Sequence, residues 1–468
     1  MKFRFRRTFL FSCYLCILFY ICFETDFHLY LSGILMTDDI NRSHRAKLKN
    51  LSEIYVNNFR KSTQTPRIAT NLVFDSDNVT STCTRVITCP IQSASSGTWI
   101  EVGSDNNMFI FSAFYVEKDK HVIIVGAKER GITRAMCQHW HVSTDGQMVM
   151  EESPLSIKKS LAEGHGKQYA AYLFKCSPPG GKMPRFVSVV KSNCTVPPKI
   201  LLVKPTRPAG SYGRQFTVCL MPLNLNYSRA YELVEWIELN RLLGADKFMI
   251  YNESSAPNVN KVLNYYAKRD IVDVIQWPIP LDNREIHYFG QVAMLQDCLY
   301  RNKEESEFIV NEDLDEFIIP RPLLLKTWHD FVKNKSEDIA GYIFRCTFFR
   351  KEWVDTEIDF SEKRIAEKYK LITLLRFGHE TKLWNYKARS KYFARTSTVE
   401  SLMIHEVPSV KTENVHQSIA MIHHYRNWSN FKPQEKVHDD IVLQKYGKQL
   451  LKNVAATWDN LPGVALDN

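Results

Sequence analysis

The chain has 468 residues, of which 44% are hydrophobic and 24% are charged, and its formal net charge is +10. This length allows two or three domains with complete cores, and the composition excludes a mainly disordered protein. The positive charge is compatible with an anionic ligand. Nucleic-acid binding is not indicated, because no basic and aromatic stretch with a known docking pattern is present.

The N-terminus predicts a membrane anchor. Four basic residues among the first seven precede an uncharged, largely apolar run from Thr8 to Phe23. No small-x-small cleavage site follows near Phe23, which favours a signal anchor over the alternative, a cleaved signal peptide. We therefore expect a cytosolic tail at 1–7, a transmembrane helix at 8–30 and a single-pass type II protein with its bulk in a lumen.

Sequons and cysteines agree with a luminal location. Asn-x-Ser/Thr sequons, which accept N-glycans in surface loops, begin at Asn41, Asn50, Asn78, Asn193, Asn226, Asn252, Asn334 and Asn427. Eight of the eleven cysteines follow the predicted anchor, and an even luminal set predicts disulfides. Their pairing stays open, and buried free thiols are the alternative for some of them.

The region before residue 215 predicts a stem and a β-rich domain. The polar segment 31–95 lacks a clear core and is interpreted as a stem. In 96–200, short alternating runs such as Met108–Val116 and His121–Ala127 predict strands of a small antiparallel accessory domain, which would bind carbohydrate or give support. Prolines and glycines near 197–213 place a boundary there.

From residue 215 onward, predicted strands alternate with predicted helices, in a domain at 215–450 followed by a tail at 451–468. The strands are Phe216–Leu220, Lys247–Tyr251, Ile271–Trp277 and Phe308–Val310, and the helices are Arg229–Leu243, Asn258–Lys268 and Tyr288–Arg301. Repeated β-α units predict a mostly parallel sheet with helices on both faces. The absence of a Gly-x-Gly-x-x-Gly loop and a P-loop argues against dehydrogenases and P-loop NTPases.

The run Asn311–Phe317, Asn-Glu-Asp-Leu-Asp-Glu-Phe, is the candidate site. It follows a short buried strand, and open α/β sheets bind ligands at the carboxyl ends of their strands. Asp313 and Asp315, two apart in an extended segment, would point to one side and form a hard-cation site that can bridge to a diphosphate. Glu316 is expected to support the loop and Phe317 to anchor it in the core. An acidic turn facing water is the alternative.

Five motifs in this order resemble glycosyltransferase family 92, over roughly residues 99–447. They are Glu235-Trp236-Ile237-Glu238, Gly244-Ala245-Asp246-Lys247-Phe248, Tyr251-Asn252, Asp313-x-Asp315-Glu316-Phe317 and His424-Tyr425-Arg426. The resemblance implies a GT-A fold in the Golgi and inverting transfer of galactose from UDP-galactose, with manganese or another divalent cation. Implied acceptors are the core fucose of N-glycans and β-galactan.

The resemblance also implies metal ligands. Asp315 would bind the metal directly, and Asp313 would bind the metal or the ribose of the UDP-sugar. Family members carry a metal-binding histidine after a run comparable to Lys391-Tyr392-Phe393-Ala394-Arg395, which makes His405 the first choice for the third ligand. His424 is the alternative ligand, and a histidine bonded to backbone is the alternative role for His405. Imidazole beside carboxylates suits manganese.

Two cations are candidates for the diphosphate of the donor. Arg426 can hold two oxygens at once, and Lys391 would act in the same way. A solvated or structural ion pair is the alternative for each of them.

The general base that inversion requires is not identified by the sequence. Glu352, with Asp355 and Glu357 nearby, follows the strand predicted over 342–349, and Glu352 is named as the candidate. The alternatives are Asp439 and Asp440, which are predicted to lie in the C-terminal helix. For every one of these candidate bases, a carboxylate at the protein surface without a catalytic role is the alternative interpretation.

Two other function classes are the alternatives, and the sequence argues against both. The first is a catalytically inactive glycan-binding or scaffolding protein that keeps the fold, although the intact Asp313-Leu314-Asp315 argues against it. The second is a glycosidase, for which two carboxylates two residues apart lie too close together. An EF-hand calcium loop is excluded, since Phe317 and Ile318 occupy the region where a turn glycine is required.

Overall fold

The computed structural model describes residues 85–87 and 97–467, apart from 106, 132–133, 145–146, 158–164, 207–211, 356–358 and 428–434. The predicted cytosolic tail at 1–7, the predicted anchor at 8–30 and nearly all of the predicted stem at 31–95 lie outside the described residues. Among the helices that are described, none is both long enough and apolar enough to cross a membrane.

The first part of the described chain forms one extended sheet, here called the N-terminal sheet. Its strands are β1 (Arg85–Ile87), β2 (Ile100–Glu101), β3 (Met108–Val116), β4 (His121–Glu129), β5 (Met136–Val142), β6 (Met148–Pro154), β7 (Ser156–Ile157), β8 (Tyr169–Cys176), β9 (Phe186–Val190) and β10 (Leu201–Thr206). The strand order is β1-β6-β5-β9-β10-β3-β4-β8-β7, and β2 pairs with β3. The pairing of β10 with β3 is parallel. A disulfide joins Cys137 of β5 to Cys176 of β8.

The strands of the second part divide between two sheets. They are β11 (Arg214–Leu223), β12 (Lys247–Asn252), β13 (Val272–Gln276), β14 (Ser306–Glu312), β15 (Glu316–Pro320), β16 (Gly341–Phe344), β17 (Cys346–Arg350), β18 (Gly378–Glu380), β19 (Lys391–Arg395), β20 (Thr412–Asn414), β21 (Ala420–Arg426) and β22 (Lys436–His438). The central sheet has the order β13-β12-β11-β14-β19-β16-β20, and the small sheet has the order β15-β21-β17-β18-β22. The strand predicted over 342–349 is therefore two strands, interrupted at Arg345.

The central sheet is mixed but mostly parallel. Strands β13, β12, β11 and β14 run parallel to one another, as the β-α repeats predict. Strand β19 is antiparallel to both of its neighbours, β14 and β16, and β16 pairs in parallel with β20. The second part of the chain is thus a mixed α/β fold.

The helices of the second part are α1 (Ala230–Leu243), α2 (Pro257–Ala267), α3 (Gln291–Arg301), α4 (Trp328–Val332), α5 (Lys363–Lys368) and α6 (Ile441–Asp459). Gly244 ends α1 with a φ of 116°, a conformation that residues with a Cβ rarely adopt. The predicted boundary at residue 450 falls inside α6, whose Leu451, Val454 and Trp458 are buried. Asp439 and Asp440 precede this helix.

The two faces of the central sheet bury different partners. Val218 of β11 joins a core that includes residues of α1, α2 and α6. Its neighbour Cys219 points to the opposite face, where the core holds residues of α3 together with Phe109 and Phe111 of the N-terminal sheet. A disulfide between Cys219 and Cys298 ties β11 to α3 on that face. The N-terminal sheet therefore shares a hydrophobic core with the α/β region.

The central and small sheets meet at a short connection between β14 and β15. The chain leaves β14 after Glu312, passes through Asp313–Asp315, and enters β15 at Glu316. Antiparallel pairing of β15 with β21 sets Glu316 opposite His424. This junction brings together side chains that lie far apart in the sequence.

Candidate active site at the carboxylate turn

Residues Asp313–Asp315, here called the carboxylate turn, are held by backbone hydrogen bonds at both ends. The backbone N–H of Glu316 donates to the carbonyl oxygen of Asp313 at 3.1 Å, and that of Tyr425 donates to the carbonyl oxygen of Asp315 at 2.8 Å. The turn lies at the carboxyl end of a parallel strand, as the sequence predicts. Its two aspartates find different partners.

Asp313 is paired with a buried lysine. The Nζ of Lys391, the first residue of β19, lies 2.9 Å from Oδ2 of Asp313 and 3.0 Å from Oε2 of Glu316. Gln291 donates to Oδ1 of Asp313 at 3.4 Å. Burial raises the pKa of Asp313 to about 6, although Lys391 acts in the opposite direction.

Lys391 does not occupy the position expected of a diphosphate ligand. Its side chain is fully buried behind the turn, and its ammonium group is engaged by Asp313 and Glu316. Burial disfavours the charged amine, but these two carboxylates hold the pKa of Lys391 above its usual range. This lysine therefore neutralises the turn from inside the protein.

Asp315 is paired with His424. Oδ2 of Asp315 lies 3.3 Å from Nε2 of His424, and Oε1 of Glu316 lies 2.9 Å from Nδ1 of the same ring. Burial lowers the pKa of His424, but the two carboxylates outweigh it and raise the pKa well above its usual value. Burial likewise works to raise the pKa of Asp315, yet the imidazolium holds it below its usual range.

These atoms fit a divalent cation. Metal-bound histidine is neutral at the ligating nitrogen, so a cation between Asp315 and His424 would take the place of the Nε2 proton. A carboxylate and an imidazole form a donor set that suits manganese. Glu316 would then accept a hydrogen bond from Nδ1 and fix the tautomer, as carboxylates commonly do for metal-binding histidines.

Glu316 pairs with both buried cations of the site, Lys391 and His424, a role that the sequence does not indicate. Burial disfavours its charge, but Lys391 and His424 lower the pKa of Glu316 well below its usual range. The Sγ atom of the free Cys346 lies 3.8 Å from Nδ1 of His424. Ligand atoms of Glu316, Cys346 and His424 all lie within 4.8 Å of one another.

His405 lies on the cavity wall but is not brought to Asp315. Its Nδ1 lies 3.0 Å from the carbonyl oxygen of Ser390, the backbone contact that was the alternative interpretation. Burial, together with the charge of Lys391, lowers the pKa of His405 to about 4. Of the two candidate histidines, His424 is the one that contacts the carboxylate turn.

A cavity of about 450 Å³ opens over the turn. Asp313, Asp315, Glu316, His405 and His424 contribute to its wall. The cationic side chains that line it are Arg229, Lys351, Arg389 and Arg426. The sequence predicts Arg426, whereas the other three cations lie on separate segments and have no distinguishing sequence signal.

The candidate general base is not among the residues that line this cavity. Oε1 of Glu352 pairs with Arg350 at 2.9 Å, and Glu352 does not contribute to the cavity wall. Asp355 accepts the backbone N–H of Phe377, and Asp439 pairs with Arg321. Glu357 lies outside the described residues. Outside the turn and Glu316, the carboxylate that does line the cavity is Glu232, which contacts Arg229 at 2.7 Å.

Comparison with curated proteins finds relatives in Caenorhabditis elegans. The chain is 28% identical to beta-1,4-galactosyltransferase galt-1 over 171 residues, which are 34% of this chain and 40% of that protein. It is 25% identical to glycosyltransferase family 92 protein C33H5.2 over 145 residues, 28% of each chain. The similarity therefore spans well under two thirds of the length of these relatives.

Among solved structures, the chain is similar to glucosyl-3-phosphoglycerate synthase from Mycobacterium tuberculosis in complex with Mn²⁺, UDP and glucosyl-3-phosphoglycerate. The identity is 16%, and the similarity covers 54% of this chain and 81% of that one with a TM-score of 0.24.

The family comparison covers both the central and the small sheet. The sequence model of glycosyltransferase family 92 matches residues 214–457, just over half of the chain, and the match includes the carboxylate turn and His424. The chain therefore belongs to glycosyltransferase family 92.

Proposed function

We propose that this protein is a metal-dependent glycosyltransferase of the GT-A type, which transfers a hexose from a UDP-sugar to a glycan acceptor with inversion. The observation that carries the proposal is the contact between Asp315 and His424 at the wall of a cavity lined by cations. Family membership supports the reaction class.

The site chemistry matches the demands of this reaction. When the bond between the sugar and UDP breaks, negative charge grows on the diphosphate, and a bound divalent cation would stabilise that charge. Asp315 and His424 would hold the cation. Arg389 and Arg426 would stabilise the diphosphate through their own positive charge, in a geometry fixed before the reaction begins.

Galactose is proposed as the transferred sugar, and N-glycans as the acceptor class. The support for galactose is that one relative is named a beta-1,4-galactosyltransferase. The support for a secretory location, the Golgi lumen, is the predicted type II anchor together with the Cys137–Cys176 and Cys219–Cys298 disulfides, which form in oxidising compartments. The sequons at Asn193, Asn226 and Asn334 are exposed, as glycan addition requires.

The test is a donor screen on the full chain. UDP release is measured with UDP-galactose, UDP-glucose and UDP-N-acetylglucosamine, in Mn²⁺ and in EDTA, with an N-glycan mixture as acceptor. We expect turnover of UDP-galactose that stops in EDTA and returns with Mn²⁺. Asp315→Ala should lower turnover by at least about 100-fold while the protein remains folded.

Asp338→Ala is the matched control, because Asp338 is an exposed carboxylate that pairs with Lys411. This variant should turn over UDP-galactose like the wild type. Binding of UDP and glycans without any turnover would contradict the proposed enzyme and support a glycan-binding protein instead.

A further inference from the structure

Tyr288 is an unusual side chain for its position. It is 47% exposed, and no other phenylalanine, tyrosine or tryptophan in the described part of the chain is as exposed. It also lines the cavity over the carboxylate turn. An aromatic ring left at the wall of a polar cavity gains burial free energy when a ligand covers it.

The backbone that presents this ring is strained. Tyr288 and Phe289 have φ values of 40° and 50°, in the left-handed region that costs a bulky residue roughly 1 kcal/mol or more. The predicted helix over 288–301 consequently begins at Gln291. Phe289 is buried while Tyr288 remains at the surface.

Hydrogen bonds maintain this conformation. The indole Nε1 of Trp277 donates to the carbonyl oxygen of Phe289 at 2.8 Å. The backbone N–H of Tyr288 donates to Oδ1 of Asn283 at 2.8 Å. The fold thus holds Tyr288 in an unfavourable backbone conformation that exposes its ring, and such strain is typical of ligand sites.

Two histidine rings adjoin the ring of Tyr288, and the three residues, which all line the cavity, are here called the ring wall. The ring centroids of His287 and Tyr288 lie 4.6 Å apart, with an interplanar angle of 80°. His287 stacks on His165, which precedes β8 of the N-terminal sheet, at 3.7 Å. Burial, with the charges of His165 and Lys167, lowers the pKa of His287 to about 4, so its ring is neutral at physiological pH.

The start of helix α3 links the ring wall to the carboxylate turn. Helix α3 begins at Gln291, three residues after Tyr288, and this glutamine donates to Asp313. The cavity therefore combines an aromatic surface with a separate set of arginine and lysine side chains. A diphosphate is suited to the cations, whereas a saccharide ring is suited to aromatic surfaces, where its C–H face packs and its hydroxyls reach neutral polar groups.

We propose that the ring wall, His165, His287 and Tyr288, is the subsite for the acceptor sugar, and that it binds one pyranose ring against the face of Tyr288. The inference rests on the proposed function, since a transferase needs a second sugar beside its donor. It assigns part of the acceptor site to His165 of the N-terminal region, outside the part of the chain that matches the family.

The experiment measures saccharide binding to the full chain saturated with UDP and Mn²⁺. The probes are methyl β-D-galactoside, methyl β-D-glucoside and methyl α-L-fucoside, which carry no aromatic group of their own, and binding is followed by ligand-observed NMR. We expect at least one probe to bind the wild type. Tyr288→Ala should weaken that binding by about tenfold, and Tyr288→Phe should retain most of it because the ring remains.

Controls separate this subsite from the donor site and from a folding defect. Leu324→Ala removes another exposed hydrophobic side chain, 93% exposed and outside the cavity, and should not affect probe binding. UDP affinity in Mn²⁺ should be the same for Tyr288→Ala and the wild type. His165→Ala should weaken the probe in the same direction as Tyr288→Ala.

Three results would overturn the subsite. They are equal probe binding by Tyr288→Ala and the wild type, loss of UDP affinity in Tyr288→Ala, and no binding of any probe to the UDP-loaded chain. The second result would place the ring wall in the nucleotide site. If the wild type does not bind UDP but still binds a probe in a way that depends on Tyr288, the result contradicts the proposed function and leaves the saccharide subsite intact.

Discussion

One buried network of the N-terminal sheet and the carboxylate turn satisfy their polar groups in different ways. Inside the N-terminal sheet, Trp140 donates to Ser188 and Ser188 donates to Gln138, both at 2.9 Å, so these buried partners are neutral. At the turn, Lys391 and His424 are buried among carboxylates. Burying ions costs several kcal/mol per charge, so such a cluster is poorly explained by stability and better explained by a ligand.

The largest expected effect comes from removing the buried cation. Lys391→Met would leave the partly buried Asp313 without its ion pair and the buried Glu316 with His424 as its remaining cationic partner, and should lower the free energy of unfolding by about 3–5 kcal/mol. Urea unfolding measures this change. Lys411→Ala is the control, because Lys411 is 65% exposed in its pair with Asp338 and should cost less than about 1 kcal/mol. Equal losses in both variants would remove the contrast between the buried cluster and an ordinary surface ion pair.

A second prediction distinguishes the two candidate histidine ligands. His424 contacts Asp315, so His424→Ala should weaken Mn²⁺ binding in the presence of UDP by at least about 100-fold. His405 contacts the backbone of Ser390, so His405→Ala should have a much smaller effect. Mn²⁺ affinity followed by electron paramagnetic resonance reports both changes. The reverse order would assign the metal to His405 and contradict the arrangement derived from the turn.

The smallest effect concerns the N-terminal sheet. His139 is buried beside Ser153, and burial lowers its pKa from 6.5 to about 4. Below pH 6.5 the imidazole of His139 binds a proton in the unfolded chain but not in the native chain. The contribution of His139 to the free energy of unfolding is therefore fully present above pH 6.5 and is lost as the pH falls toward 4. The loss should be at most about 1.4 kcal/mol per pH unit.

His139→Gln should reduce this acid dependence, because glutamine does not titrate. Unfolding midpoints in urea at pH 7 and pH 5 measure it for the wild type and the variant. If both lose the same stability between the two pH values, His139 is not the group responsible.

The sequence predicts those features that depend on local pattern. Alternating runs and helical spacing indicate β3, β11 to β14 and their intervening helices, and the apolar run before Asp313 places the carboxylates at the end of a strand. The shared core of the N-terminal sheet and the central sheet has no local signature. This shared core depends on which face of the N-terminal sheet packs against the central sheet, and that packing is set by the fold as a whole and not by any local stretch of sequence.

The parts of the site that the sequence misses depend on strand register. Glu316 reaches His424 because β15 and β21 pair in one particular register, and Lys391 reaches Asp313 through the pairing of β14 with β19. Neither register can be read from a single sequence. The helical spacing of Val292, Leu295 and Leu299 predicts a helix that includes Tyr288, and that spacing does not reveal the left-handed turn that precedes α3.

The most direct measurement is the affinity of the full chain for UDP by calorimetry, in Mn²⁺ and in EDTA, for the wild type and Asp315→Asn. We expect UDP binding by the wild type in Mn²⁺ that is lost in EDTA, and binding by Asp315→Asn that is weaker by at least about 100-fold in Mn²⁺. The asparagine keeps the size of the side chain, so the change tests its charge. UDP affinity that is unaffected by EDTA and by this substitution would contradict a metal and nucleotide site at the carboxylate turn.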